Sequence, residues 1–584
     1  MTGKRRLLCG VSISGGIVLG HARVILPGES EMAEVAIATT RLTQETEALE
    51  RAVEQTVGEL RELRETAGKK MGGPVAKVFD AQLLIAGDYE FLKQVKEEIR
   101  SQKRNAAYIY DHLVKRTIEP LEQSKDYYMR QMAEDIKSVS TRVLSHLSGF
   151  DKCELKLPPN TILVGKSFAP GDILTYRQRK VVGFLVSKGG ADSHMGLIAR
   201  SLLLPVVLVD GAYAAVSSNN RIILDGTAGE VIINPTDEDW AEYQKRKKRH
   251  GPALVTRIRR LTRVPPVTRD GVEVGIAGNL SLSGPVDDIL AEKGFPIGLY
   301  RTEFLYLLEN RFPDEETQFE TYRQIAEKFA GGSVVLRTFD LGYDKISDDT
   351  GWPEETNPAL GWRGIRVMLD RSNIFKTQIR AILRASKFGH LKIMLPMVTD
   401  LSEVERARKL VSQVKLSLRR QKIAFDENIE LGIMVEVPAV AMTAEALAPQ
   451  VDFMSIGTND LTQYTMAADR MNNKVAGLYS PYHPAVLNLI HTTVKACKRF
   501  GKPISICGEV AGDLLALPLF IGMGVDQLSM NANRIFDLCR LVKRIDSRLV
   551  RHLVAPVLAA GSESTVRQIL ENFRSELHRK KLQA

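Results

Sequence analysis

The sequence predicts a multidomain α/β protein: a small α/β domain interrupted by a helical bundle, a helical linker, and a C-terminal (β/α)8 barrel of the TIM type. Three observations predict it. The chain of 584 residues exceeds one ordinary domain and leaves room for roughly two to four. Its C-terminal half alternates short apolar, β-rich runs with helix-length segments. Its N-terminal part changes texture twice, from strand-like to helical near residue 31 and back near residue 147.

The opening stretch LLCGVSISGGIVLGHARVI is β-branched and punctuated by glycine, as strands and turns are. Leu42, Leu49, Val53, Leu60 and Leu63 then recur near the helical period between Glu, Arg and Gln, and further helical stretches reach Leu147, broken by the turn MGGP. This block is expected to be a bundle with an exposed apolar face. β character returns in TILVGKSFAP, VVGFLVSKGG, PVVLVDG and RIILDGTAGEVIIN. The simplest account is one α/β domain, residues 1–30 and 148–235, interrupted by a helical insert, residues 31–147. DEDWAEYQKRKKR begins a charged helical linker, 236–262. The barrel occupies 263–575 and a basic tail 576–584. Its strands are VEVGIAGN, PIGLYRTEF, SVVLRTFD, LKIMLPMV, IELGIMVEVP, VDFMSIGTND, PISICGEVAG and VDQLSM. An open doubly wound sheet is disfavoured, because no Gly-rich dinucleotide fingerprint follows any of them.

Composition narrows the function classes. Hydrophobic content of 44% with 26% charge suits a soluble globular chain. No stretch approaches the ~18 uninterrupted apolar residues of a spanning helix, so no membrane insertion is expected. Only Leu7 and Leu8 separate Arg6 from Cys9, too short for the ~7–15-residue apolar core of a secretion signal. Five scattered cysteines argue against a disulfide framework and for a reducing, cytoplasmic setting. The excess of +10 sits largely in KRKKRHGPALVTRIRRLTR and HRKKLQA. Neither run carries interleaved aromatics or zinc spacing, so each reads as a solvated face and no nucleic-acid partner is expected.

Barrel chemistry sits at the C-terminal ends of strands. Those ends carry Asn279, Arg301, Arg337, Glu436, Asn459 with Asp460, Cys507 and Ser529. Two carboxylates without histidine or cysteine partners suit a hard divalent ion, Mg²⁺ or Mn²⁺, completed by substrate oxygens. Arg301 and Arg337 supply planar forks for a carboxylate and a phosphate, and Arg470 and Lys345 add positive charge from loops. A small anion carrying both groups is implied. Cys507 stands where an enolate carbon can take a proton from it; a buried structural thiol is the competing role. Phosphoryl transfer relies on positioning and charge neutralisation, which this rim supplies. The rim lacks a nucleophile. His194, at the glycine-rich turn SKGGADSHMGLIARS of the other domain, is the candidate.

Taken together, GLYRTEFL, VVLRTFD, NPALGWRGIR, RAILRAS, IMVEVPA, DFMSIGTNDLTQYTMAADR, SPYHPAVLNLI and ICGEVAGD resemble, in order, the barrel motifs of Enzyme I of the bacterial phosphoenolpyruvate-dependent sugar phosphotransferase system. The resemblance runs along nearly the whole chain. It implies that phosphoenolpyruvate binds through Arg301, Arg337, Asn459, Asp460 and Arg470, with Lys345. Glu436 and Asp460 then hold Mg²⁺, and Cys507 protonates the enolate to give pyruvate. It further implies that His194 takes the phosphoryl group, that the small α/β domain is a phosphohistidine domain that swivels, that the helical insert docks the phosphocarrier HPr, and that the barrel forms a homodimer. The related pyruvate phosphate dikinase and phosphoenolpyruvate synthase need a further ATP-grasp domain, for which this length leaves no room.

Around His194, Ser193 is a candidate N-cap, so a phosphorylated imidazole would lie by the positive end of a helix. Gly189 and Gly190 permit close approach of a partner, and Arg200 lies within two turns. The sequence departs from the family at Ala191 and Asp192, which replace a cationic and a neutral side chain, at Ser167 and Ala169 in SFAPGD, and at Tyr343 in LGYDK. A carboxylate at Asp192 within ~4–6 Å of the imidazole would raise its pKa. Two alternatives share these motifs. One is the nitrogen-type regulatory phosphorelay paralogue, which typically carries an N-terminal GAF domain where a strand begins here near residue 7. The other is a phosphoenolpyruvate-responsive regulatory protein with weak turnover, which has little need of Cys507 beside arginines and a metal.

Overall fold

The computed structural model describes residues 4–25, 32–71, 73–124, 127–148, 157–168, 170–188, 194–202, 204–247, 252–261, 265–280, 285–309, 311–342, 352, 355–470, 472 and 474–582. Its N-terminal sheet has eight strands: β1 (Arg6–Cys9), β2 (Val11–Ser14), β3 (Ile17–Val24), β4 (Thr161–Gly165), β5 (Gly183–Val186), β6 (Val206–Leu208), β7 (Arg221–Asp225) and β8 (Glu230–Ile233). Their order is β1-β8-β7-β3-β4-β5-β6-β2. β3 to β6 run parallel, and β4 and β5 are buried along their whole length, as in a parallel sheet covered on both faces.

β1 and β2 are separated by Gly10 alone, yet they pair with opposite edges. Leu8 faces Val231 of β8, and Ser12 faces Val207 of β6. One bent ribbon therefore joins both edges of the sheet. The bend needs glycine: a Cβ at Gly10 would lie 2.1 Å from the Leu208 carbonyl oxygen. The Gly10 N–H is tied down by the Gly229 carbonyl at 2.8 Å.

Between β3 and β4 run the helices Leu42–Met71, Gly73–Ala86, Tyr89–Gln102, Ala106–Gln123 and Tyr127–Ser148. The stripe Leu49, Val53, Leu60 and Leu63 is buried, as its period predicts, with Leu42 half-buried. Asp88 caps the helix Tyr89–Gln102 by accepting the Phe91 N–H at 3.1 Å. Leu84 and Tyr89 project into solvent. Arg142 pairs with Glu59 inside the bundle at 3.2 Å and ties the bundle to the sheet domain through Asp172 at 3.6 Å.

The charged stretch after β8 forms two helices with different attachments. Asp237–Lys247 lies against the N-terminal sheet, where Trp240 and Tyr243 pack on Ile17, Leu19, Ile223 and Ile232. Its charges pair across that contact, Arg5 with Asp239 and Arg246 with Asp225, each at 2.8 Å. Pro252–Arg259 instead joins the barrel side, with Ile258 buried and Arg257 paired to Asp537.

The barrel strands are β9 (Gly275–Leu280), β10 (Ile297–Arg301), β11 (Val334–Arg337), β12 (Leu391–Leu395), β13 (Leu431–Val435), β14 (Met454–Ile456), β15 (Ile504–Ile506) and β16 (Gln527–Met530). They form a closed ring in sequence order, and every pair is parallel. Seven fall within the runs read from the sequence, and β9 runs one residue past VEVGIAGN, to Leu280. Leu299, Val335, Met394, Met434, Phe453 and Cys507 form a separate inner cluster. Among the described residues, no helix is long and apolar enough to cross a membrane.

Candidate active site

Strand register assembles the site. Arg301 and Arg337 end adjacent strands and are register partners, so the two guanidinium groups start side by side. Glu436 directly follows β13, Cys507 directly follows β15, and Asn459 and Asp460 open the helix Thr458–Met466 after β14. Arg301 is exposed, whereas Arg337 and Glu436 are buried.

Arg337 is clamped. Its Nη2 donates to Glu303 Oε1 at 2.6 Å, and its Nη1 lies 3.2 Å from Asp340 Oδ2. Asp340 is itself gripped by Arg363, whose Nε and Nη2 reach its two oxygens at 3.0 and 2.6 Å. The Asp340 N–H adds a 3.0 Å bond to Glu303 Oε1. Burial alone would lower the pKa of the Arg337 guanidinium. Glu303, Asp340, Glu436 and Asp460 overcome that and raise it, so Arg337 is a permanent charge. Its buried Nε has no hydrogen-bond partner among the described residues.

Glu436 stands in the opposite state. Its Oε1 accepts the Met397 N–H at 2.7 Å, while its buried Oε2 has no hydrogen-bond partner among the described residues. Met397 takes a left-handed φ of 57° to make this contact, and Gly364 leaves room for it, since a Cβ there would lie 2.8 Å from Met397 Cβ. Burial, then the charges of Asp460 and Asp340, push the Glu436 carboxyl well above the usual carboxylate range. Glu303, Asp340, Glu436 and Asp460 thus face two guanidinium groups, Arg337 and Arg363. The Glu436 Oε2, without a partner among the described residues and beside the Asp460 charge, leaves a carboxylate oxygen that a divalent cation would satisfy. The described residues hold no group of three or more ligating side chains. A hard cation carried on two carboxylates, completed by substrate and water oxygens, fits that donor set.

Cys507 is buried in the apolar inner cluster. Its N–H donates to the Ile456 carbonyl at 3.0 Å, and its thiol points at the same oxygen at 3.6 Å. Burial pushes the thiol up to about 11, so it holds its proton. Arg470, in the loop after Met466, feels the charges of Asp460 and Glu509. Asn459 Oδ1 accepts the Glu509 N–H at 3.0 Å.

Comparison with known proteins bears on this rim. Residues 255–547 match the model of the PEP-utilising enzyme, PEP-binding domain; 9–131 match the PEP-utilising enzyme, N-terminal; and 157–229 match the PEP-utilising enzyme, mobile domain. A phosphoenolpyruvate-protein phosphotransferase of Listeria innocua is 38% identical over 97% of this chain and 99% of its own length. Its namesake from Geobacillus stearothermophilus is 38% identical over 96% and 97%, and that from Staphylococcus aureus 35% over 97% and 99%. The chain belongs to the phosphoenolpyruvate-protein phosphotransferase family.

In this member of the phosphotransferase family, Arg301, Arg337, Glu436, Asn459, Asp460 and Cys507 lie at or just after the C-terminal ends of their strands, and Arg470 lies in a loop where it senses the Asp460 charge. Asn279 and Ser529 join them from β9 and β16. His194 opens the helix His194–Ser201 of the N-terminal domain, with Met195, Ile198 and Ala199 buried behind it. Arg200 turns away to the Ile13 carbonyl at 3.5 Å, and Ser167 is exposed. The His194 side chain, and Lys345, Tyr343, Ala169, Gly189, Gly190, Ala191, Asp192 and Ser193, lie outside the described residues. Sequence reading missed Glu303, Asp340 and Arg363. For the two carboxylates the signal was present: Arg301 and Arg337, at their strand ends, are each followed within three residues by a carboxylate, in RTE and RTFD.

Proposed function

We propose that this chain takes the phosphoryl group of phosphoenolpyruvate onto His194 and passes it to a histidine of the phosphocarrier HPr, releasing pyruvate, as the first step of sugar phosphotransfer in the cytoplasm. One observation carries the reading most: a permanently charged, clamped Arg337 faces the Glu436 and Asp460 carboxylates, with the neutral Cys507 thiol on the same mouth.

Arg301, Arg337, Asn459 and Arg470, with Lys345, bind and orient the carboxylate and phosphate of phosphoenolpyruvate. Glu436 and Asp460 hold Mg²⁺, or Mn²⁺ in its place, which when bound offsets charge on the phosphate and enolate oxygens. The unprotonated His194 imidazole attacks phosphorus; the P–N bond forms as the P–O bond to the enolate breaks. Cys507 then gives its proton to the enolate carbon. HPr docks on the 31–147 insert, where Leu84 and Tyr89 offer apolar contact, and two copies pair through the 263–575 barrel.

Incubation with ³²P-labelled phosphoenolpyruvate and Mg²⁺ tests the core of this reading. Acid-labile, base-stable label that transfers to HPr and is lost in His194→Ala is expected. Label that survives His194→Ala, or no label at all, overturns it.

A further inference from the structure

We propose that Asn279 and Ser529 are positioning residues for Cys507, holding its thiol so that the enolate is protonated from one face only; this rests on the reading of Cys507 as the proton donor. Asn279 Nδ2 donates to the Cys507 carbonyl at 2.9 Å, and Ser529 Oγ donates to Asn279 Oδ1 at 2.6 Å. The direction of this chain is forced. A backbone carbonyl can only accept, so the amide nitrogen must face Cys507, its oxygen must face Ser529, and the Ser529 hydroxyl must supply the proton.

The neighbouring strands are shaped to keep the chain in place. Ser529 is fully buried, and Gly298 on β10 leaves the slot it fills: a Cβ there would lie 2.6 Å from Ser529 Oγ. On the other side, the Cys507 N–H is fixed to the Ile456 carbonyl at 3.0 Å. Two residues on, the Glu509 N–H is fixed to Asn459 Oδ1 at 3.0 Å. The peptide groups flanking the Cys507 Cα are therefore held from β9 on one side and β14 on the other, which fixes where its Cβ and sulfur point. The thiol itself makes only weak contacts, a long one to the Ile456 carbonyl oxygen at 3.6 Å and one with the Ser455 side chain, so its aim depends largely on where the backbone sets the Cβ. Preorganisation of this kind comes from the shell behind the reacting group.

The chemistry gives the arrangement a distinctive readout. When the phosphoryl group leaves, the S–H proton goes to C3 of the enolate. The C2–C3 π pair forms the new C–H bond, the oxygen pair closes the ketone, and sulfur keeps its electrons as a thiolate that recovers a proton from water. An enolate released without this donor still becomes pyruvate in water, but takes its proton on either face. Loss of aim therefore removes stereochemistry while His194 is still phosphorylated.

Phosphoenolpyruvate carrying deuterium at one C3 position is turned over by the full-length chain in tritiated water, the pyruvate is trapped as lactate, and the chirality of its methyl group is read. The wild-type chain is expected to give a chiral methyl. Asn279→Ala and Ser529→Ala are expected to lose that chirality while retaining ³²P incorporation from phosphoenolpyruvate. Asn279→Asp, of equal size and still an acceptor for Ser529, lacks the donor to Cys507 and is expected to lose it too; it keeps the test decisive where an alanine variant fails to fold. Full chirality in the Asn279 and Ser529 variants, together with its loss in Cys507→Ala, overturns the positioning role alone. Chirality retained in Cys507→Ala overturns the donor reading on which it rests.

Discussion

The barrel and the N-terminal sheet both bring their edges together, by opposite means. The barrel does so by repetition: eight parallel strands, each paired to the next, with no single position responsible for closure. The N-terminal sheet depends on one ribbon that bends at Gly10 to reach β8 and β6. The functional groups follow the same division. Around Arg337, charges are cross-linked from several strand ends, so its geometry is over-determined. His194 rides at the start of a single eight-residue helix. The lesson is that the barrel mouth is vulnerable to loss of charge, and the N-terminal sheet to addition of volume.

The largest effect should come from breaking the clamp. Asp340→Asn removes a buried charge shared by Arg337 and Arg363. Removing one partner of a buried ion network typically costs about 3–5 kcal/mol. The barrel's unfolding transition should fall accordingly in calorimetry. Because Arg337 loses the partner on Nη1, kcat/KM for phosphoenolpyruvate should fall on the order of 10²-fold, the scale of a misplaced binding group. A barrel transition that stays in place would show that repetition, not charge, holds the mouth.

Gly10→Ala probes the other side. Its Cβ would lie 2.1 Å from a backbone oxygen that cannot rotate away. Overpacking of this kind costs about 1–3 kcal/mol. The loss should appear only in the N-terminal transition, with binding of phosphoenolpyruvate to the barrel, measured by titration calorimetry, unchanged. Equal loss in both transitions would mean that the two systems unfold as one.

What the sequence discloses divides along similar lines. Parallel strands buried on both faces appear as continuous apolar runs, so all eight barrel strands are legible, and with them Arg301, Arg337, Glu436 and Cys507, each at the end of or directly after such a run. Pairing is not legible. Glu303 stands two residues beyond Arg301 but binds Arg337 of the next strand, because register brings the two together. One strand read alone says nothing of register. The charge density of 236–262 likewise suggests a solvated linker, whereas Asp237–Lys247 docks on the sheet. Trp240 and Tyr243, three apart on one helical face, were the available sign. The ribbon bend at Gly10 has no local signal, since the obstruction is a carbonyl contributed by β6.

The smallest effect concerns thiols, and it vanishes near neutral pH. Of the four described cysteines, Cys9 is exposed on β1, while Cys497, Cys507 and Cys539 are buried in the barrel. Burial pushes Cys497 and Cys539 up to about 12 and Cys507 up to about 11, against an ordinary value of about 9. All three therefore stay protonated at pH 8, and iodoacetamide followed by peptide mapping should mark Cys9 well before any of them. Stability follows with a definite sign. A thiol whose folded pKa exceeds its unfolded one contributes stability that is complete below about pH 9 and is lost as pH rises through about 11 to 12, because the unfolded thiols ionise first. The barrel transition should fall across that window, and replacing Cys497 and Cys539 by alanine should flatten the fall at some cost in packing. Early labelling of Cys507 would mean that its thiol opens to water. That would weaken the case for a donor whose proton is kept until an enolate carbon arrives to take it.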